Sequence, residues 1–209
     1  MSLQVVTIPA STSQKPSGLI VCLHGWGANA QGLASVVPLL NLPDYEFLFP
    51  DAPFPHPYSS VGKAWYDLSY NKGQGLPESR KLLTDWLLSL EGSTGVPLSR
   101  TILSGFSQGA AMTLDVGLSL PLAGVIALSG YLHPLTESVD RTSPPVLILH
   151  GRQDSVVPLK AAQSARDSLT ALGVSVQYQE FDMGHEIRPE VLVAIRKFVL
   201  EVMSSQKVY

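Results

Sequence analysis

The sequence predicts an α/β fold, with a mostly parallel central sheet, helices on both faces and no large cap domain. Three observations carry this expectation. Short apolar runs alternate along the chain with longer stretches whose apolar residues recur at helical spacing, the pattern of parallel strands joined by crossover helices. Runs such as Leu19-Ile20-Val21-Cys22-Leu23 have no polar face, as strands covered on both sides require. Finally, the polar clusters around His24-Gly25-Trp26, Ser107, Asp154 and His185 each follow an apolar strand pattern. In a parallel sheet those positions share the carboxyl edge, where open α/β sheets bind ligands.

In order, Leu3 to Ile8 alternates weakly and reads as an edge strand closed by Pro9. Gly18 to Leu23 is a buried strand, and Leu33 to Leu40 reads as one short helix. Phe47 to Phe49 is a strand stopped by Pro50. Asp51 to Leu76 is rich in proline and carries Phe54, Tyr58, Trp65, Tyr66 and Tyr70. A long irregular loop of this kind is usually functional. Pro77 suits a first helical turn, and Leu82, Leu83, Trp86, Leu87 and Leu90 form a core stripe behind it. A strand at Thr101 to Leu103 precedes a helix reaching about Leu118. Strands follow at Gly124 to Leu128, Val146 to Leu149 and Val174 to Phe181, with helices over Leu159 to Leu172 and Pro189 to Val202.

Composition narrows the class. With 209 residues, 45% hydrophobic and only 15% charged, the chain fits one globular domain over residues 1–209. A net charge of −3 with no basic run gives no reason to expect nucleic acid as a partner. The single cysteine, Cys22, excludes an internal disulfide, fits a reducing compartment and lies in an apolar strand pattern typical of an inert buried thiol. No basic n-region with an apolar h-region opens the chain, and no window has the ~20 apolar residues of a membrane span. The expectation is a soluble, cytoplasmic protein, monomer or homodimer.

Ile102 to Met112 organises the chemistry. Gly105-Phe106-Ser107-Gln108-Gly109 places a serine between a strand and a helix, in a sharp turn that small glycines permit. The turn would push the hydroxyl onto a helix N-terminus, where developing negative charge is favoured. Serine is a poor nucleophile without a base, and histidine suits that task at neutral pH. Five histidines compete. His24 and His150 each precede a glycine at a strand end and are expected to pack under loops. His56 and His133 lie in proline-containing loops. His185 follows the last strand in a Gly-His-Glu turn and is the preferred base. For the acid that fixes its tautomer, Asp154 keeps the chain order serine, acid, histidine; Asp182 and Asp140 are rivals. The oxyanion donors expected for acyl transfer are the backbone N–H groups of Gln108 and Trp26. No His-x-x-x-His or Cys-x-x-Cys spacing calls for a metal.

Six ordered blocks then appear: Leu23-His24-Gly25-Trp26-Gly27, Ala64-Trp65-Tyr66-Asp67, the Ser107 turn, Leu128-Ser129-Gly130-Tyr131, His150-Gly151-Arg152-Gln153-Asp154 through Pro158, and Met183-Gly184-His185-Glu186. Together they resemble the carboxylesterase, lysophospholipase and acyl-protein thioesterase family of small α/β-hydrolases. The resemblance implies an α/β-hydrolase fold with a reduced sheet, a Ser107–His185–Asp154 triad, the Trp26 and Gln108 amides as oxyanion hole, and no cofactor. Two departures stand out: Trp26 where the family often has leucine, and Ala110 where it often has a second glycine.

The reading is thus a serine hydrolase of carboxylic esters or thioesters. The short Gly130 to Pro144 connection leaves no room for a large cap, so the site is expected to be open and walled by residues 51–76. Phe54, Tyr58, Trp65 and Tyr66 are candidate substrate contacts, with some of the four expected to pack inward and Trp65 in particular to anchor the loop. Small esters, lysophospholipids and acylated protein surfaces all suit such a site. The rival readings are a non-catalytic binding protein on the same fold, and another hydrolase such as a dienelactone hydrolase or peptidase.

Overall fold

The structure is a computed structural model that describes residues 3–12, 15–135, 139 and 142–205. In chain order its elements are β1 (Val5–Ile8), β2 (Leu19–Leu23), α1 (Ala30–Ala34), α2 (Val37–Leu40), β3 (Glu46–Pro50), β4 (Phe54–Pro55), β5 (Lys63–Ala64), α3 (Leu76–Thr94), β6 (Thr101–Phe106), α4 (Gln108–Gly117), β7 (Gly124–Leu128), β8 (Val146–Gly151), α5 (Leu159–Ala171), β9 (Val176–Phe181) and α6 (Pro189–Ser205).

Seven strands form one sheet in the order β1-β3-β2-β6-β7-β8-β9. Only β1 is antiparallel, pairing Val5 with Pro50 and Ile8 with Phe47 at the edge. The chain passes from β2 outward to β3, then returns through α3 to β6 on the other side of β2. The strand order therefore reverses between β2 and β6, and a crevice opens above their carboxyl ends.

The apolar strands sort their side chains by alternation. Leu19, Val21, Leu23, Leu103, Val125 and Ile148 face a core closed by α3, α4 and α5. Ile20, Ile102, Ile126, Leu128 and Leu149 face the opposite core, closed by α1, α2 and α6. In β6, Ile102 and Leu103 are both fully buried, on opposite faces. Each contributes about 1.5–3 kcal/mol of burial. Register then fixes which way the residues beyond the strand point, because a one-residue slip exchanges the two faces.

Two expectations are refined. The single helix expected at Leu33 to Leu40 is instead two short ones. Asn29 caps α1, its Oδ1 accepting from Gly32 N at 2.9 Å, so the helix starts earlier. Pro38 cannot continue it, because its ring would meet the carbonyl of Ala34, and α2 begins afresh. Within residues 51–76, β4 and β5 pair antiparallel (Phe54 with Ala64, Pro55 with Lys63), so the irregular stretch contains a small hairpin. Among the described residues, no helix is long and apolar enough to cross a membrane.

Candidate active site

Ser107 joins β6 to α4 without a spare residue, at φ 56° and ψ −118°. Positive φ is costly for a serine, on the order of 1–3 kcal/mol, and must be imposed by the surroundings. The flanking glycines show how. A Cβ on Gly105 would lie 2.3 Å from the Gly109 carbonyl oxygen, and one on Gly109 would lie 2.3 Å from the Leu23 carbonyl oxygen. Strand, helix and the neighbouring strand thus touch backbone to backbone. Ser107 N donates to Leu128 O at 2.9 Å, tying the turn to β7 as well.

His185 stands over this turn. Its Nε2 is 2.9 Å from Ser107 Oγ, and its Nδ1 is 2.7 Å from Asp154 Oδ2. Phe106 packs against the imidazole, with ring centroids 4.8 Å apart. The Asp154 side chain is fully buried, and its Oδ1 accepts from Val156 N and Val157 N at 2.9 and 2.8 Å. Burial opposes ionisation of this carboxyl. The hydrogen bond from His185 and those from Val157 and Val156 outweigh it, holding the group below its ordinary range. With Asp154 ionised, Nδ1 carries the proton and Nε2 is the acceptor facing the serine.

The loops bearing Asp154 and His185 are joined to each other. Arg152 N donates to Phe181 O at 2.8 Å, and Gln153 N donates to Met183 O at 3.0 Å. Gly151 makes this approach possible, since a Cβ there would lie 2.4 Å from the carbonyl oxygens of both Met183 and Gly184.

The remaining histidines have other partners. His24 is buried with both nitrogens used: Nδ1 donates to Gly25 O at 2.8 Å, and Nε2 accepts from Ala52 N at 3.0 Å. Burial, the largest influence, holds its pKa below the ordinary value and keeps it neutral. His150 is fully buried and donates through Nε2 to Val157 O at 2.8 Å, with Asp154 Oδ2 farther off at 3.5 Å. His56 packs edge-on against Trp26, centroids 4.2 Å apart. Of the rival acids, Asp182 is largely exposed and pairs with Arg152 at 2.7 Å, while Asp140 lies outside the described residues.

The four aromatic residues expected to contact substrate divide. Phe54 borders a groove of about 320 Å³ shared with Trp26, Pro57 and Tyr70. Tyr58 is exposed on the hairpin. Trp65 and Tyr66 are buried, the inward packing expected of some of the four. The Trp65 indole donates to His24 O at 3.0 Å, and the backbone on either side is held by Gln108. Its Oε1 accepts from Trp65 N at 2.9 Å and its Nε2 donates to Tyr66 O at 2.7 Å. The Tyr66 hydroxyl meets those of Tyr131 and, at 3.1 Å, His133 Nε2.

That last contact belongs to a network the sequence reading missed. Asp115 of α4 is bidentate with Arg80 of α3 and lies 3.6 Å from His133 Nδ1. The one signal available was a lone carboxylate in an otherwise apolar helix, Leu114-Asp115-Val116. Cys22 faces a small apolar cavity of about 50 Å³ between the sheet and α1, α2 and α6, and burial pushes its thiol up to about 12. No group of three or more potential metal ligands occurs among the described residues.

Comparison with known proteins agrees with this architecture. Residues 5–203 match the family described as phospholipase/carboxylesterase. Acyl-protein thioesterase 1 of Neurospora crassa is 32% identical over 210 residues, covering 87% of this chain and 85% of that protein. A probable carboxylesterase of Oryza sativa subsp. japonica is 27% identical, covering 95% of this chain and 83% of its own. The crystal structure of esterase PE8 superposes with a TM-score of 0.86 at 30% identity, covering 97% of this chain and all of that one. With the match spanning nearly the whole sheet, the chain belongs to the phospholipase/carboxylesterase family of α/β-hydrolases.

Proposed function

We propose that this ester and thioester hydrolase works through an acyl-enzyme on Ser107, with His185 as base and then acid, and Asp154 as the group that orients it. The observation that carries the reading is the unbroken chain of contacts: Ser107 Oγ to His185 Nε2 at 2.9 Å, and His185 Nδ1 to Asp154 Oδ2 at 2.7 Å. In this reading Ser107 Oγ attacks the acyl carbon as Nε2 takes its proton. The imidazolium that forms is stabilised by Asp154, and it gives the proton to the departing alcohol or thiol. Water repeats the sequence on the acyl-enzyme and releases the acid.

The negative charge that develops on the acyl oxygen needs two donors. Gln108 N–H, in the first turn of α4, has no intrahelical carbonyl to meet and lies at the positive end of the helix. The second donor is Trp26 N–H. Among the amides that follow it, Gly27 N is committed to Lys63 O at 2.9 Å and Ala28 N to Gly25 O at 3.2 Å. Substrates are acyl esters or thioesters carried by small molecules, lipid-like molecules or acylated proteins, the last two being what the names of the family and of the Neurospora relative favour.

Labelling with a fluorophosphonate, followed by peptide mass analysis, tests the assignment. The expected adduct is on Ser107, and Ser107→Ala should abolish both labelling and hydrolysis. Hydrolysis that survives in Ser107→Ala at near the wild-type rate sinks the proposal.

A further inference from the structure

We infer that the hairpin Phe54–Ala64 is a positioning element for the loop that follows β2, and that Gly62 and His56 are positioning residues acting through Trp26. This rests on the proposal that the Trp26 amide receives the oxyanion. The two donors are held very differently. Gln108 is set by α4 and by the two hydrogen bonds of its own buried side chain. The loop Gly25–Asn29 has one internal backbone bond, Ala28 N to Gly25 O at 3.2 Å, and Gly27 sits at φ +80°. Its firmer supports come from the hairpin.

Gly27 N donates to Lys63 O at 2.9 Å, and Lys63 N donates to Ala28 O at 2.8 Å, a short ladder between loop and β5. Asn29 Nδ2 adds a bond to Val61 O at 3.3 Å. That approach requires glycine at position 62, where a Cβ would lie 2.5 Å from the Gly27 carbonyl oxygen. On the other side the His56 ring lies against both the Trp26 indole and Gly27, where an added Cβ would come within 3.2 Å of His56 Nε2. The buried indole N–H of Trp26 has no hydrogen-bond partner, so ring packing rather than a polar bond seats that side chain. The hairpin itself exposes Tyr58 and Val61, at 65% and 69%. A substrate that presses on this apolar surface therefore acts on a strand hydrogen-bonded to Gly27 and Ala28, the two residues that follow the proposed oxyanion donor. Binding and transition-state stabilisation share one piece of backbone.

Gly62→Ala tests the inference. A displacement of about 1 Å at a reacting centre costs on the order of a hundredfold. The variant should lose roughly tenfold to a hundredfold in kcat on p-nitrophenyl acetate, with KM within about twofold. The inhibition constant of a trifluoromethyl ketone, which mimics the tetrahedral oxyanion, should rise by the factor that kcat/KM falls. Gly92→Ala, in the open on α3, should change none of these. His56→Ala should lower kcat about fivefold to tenfold, and His56→Phe, which keeps a ring but no titratable nitrogen, should restore it; this pair decides the matter if Gly62→Ala does not fold. Wild-type kcat in Gly62→Ala, a loss confined to KM, or a His56→Phe enzyme as slow as His56→Ala each overturns the inference. Activity that survives Ser107→Ala instead overturns the proposed mechanism, whatever the hairpin variants do.

Discussion

Asp154 and Asp182 show what a residue's surroundings decide. Both are acids that the sequence offers as partners for His185, yet one is sealed under two backbone amides and the other is an exposed partner of Arg152. Asp154→Asn should cost on the order of 10⁴ in kcat, because the amide favours the wrong imidazole tautomer. His185→Ala should cost about 10⁶, and adding Ser107→Ala should cost little more, since the residues act as a unit. Steady-state kinetics on one ester measures all three; strongly additive losses would speak against a single mechanism. Asp115 makes a different statement. Burial works against its carboxylate, but the nearby His133 ring and the bidentate hydrogen bonds from Arg80 hold its pKa below the ordinary range. A depressed carboxylate contributes stability that is complete above the unfolded value of about 3.9 and is lost as pH falls through the folded one. Asp115→Asn should therefore destabilise by about 3 kcal/mol at pH 7, the lower end for a buried pair because Arg80 is a quarter exposed. Urea titrations at pH 7 and pH 3 should show that gap closing at the lower pH. An equal gap at both would assign the loss to packing.

At the scale of elements, the hairpin borders a groove whose occupant a series of acyl esters can test. Phe54 is seated by Gly75, where a Cβ would lie 2.5 Å from its ring, and it faces the groove shared with Trp26 and Tyr70. If an acyl chain lies there, each buried methylene contributes up to ~0.8 kcal/mol, a little under fourfold in kcat/KM. Rates on p-nitrophenyl esters should climb from acetate to about octanoate and then level, and Phe54→Ala should flatten the climb. A rate that peaks at acetate and falls steadily would mean the groove takes no acyl chain. Trp65 illustrates why the sequence left this region open. In a strand or helix the period tells which side chains face inward. Residues 51–76 have no period over most of their length, so aromatic character alone could not separate Phe54, at a groove, from Trp65, bonded to His24 O beneath it. The Gln108 side chain was equally hidden: the turn motif gives its position, but not a clamp reaching more than forty residues back to Trp65 and Tyr66.

For the whole molecule, the sheet was legible because its inner strands are buried on both faces and so read as unbroken apolar runs. Gly124–Leu128 needs no context to be recognised. The reversal of strand order between β2 and β6 was not legible, since nothing in a strand's own residues names its neighbours. The Arg80–Asp115–His133 network depends on that arrangement, joining α3, α4 and the segment after β7, and was invisible for the same reason. The loops bearing Asp154 and His185 are fastened backbone to backbone across Gly151, on adjacent strands. Ser107 rises from β6, with β7 standing between, and reaches them through its bond to His185 and the Phe106 ring. The Asp154–His185 contact is thus fixed by backbone on adjacent strands, whereas the His185–Ser107 contact crosses β7 through side chains alone, so a substitution that loosens the edge should lengthen the second contact before the first.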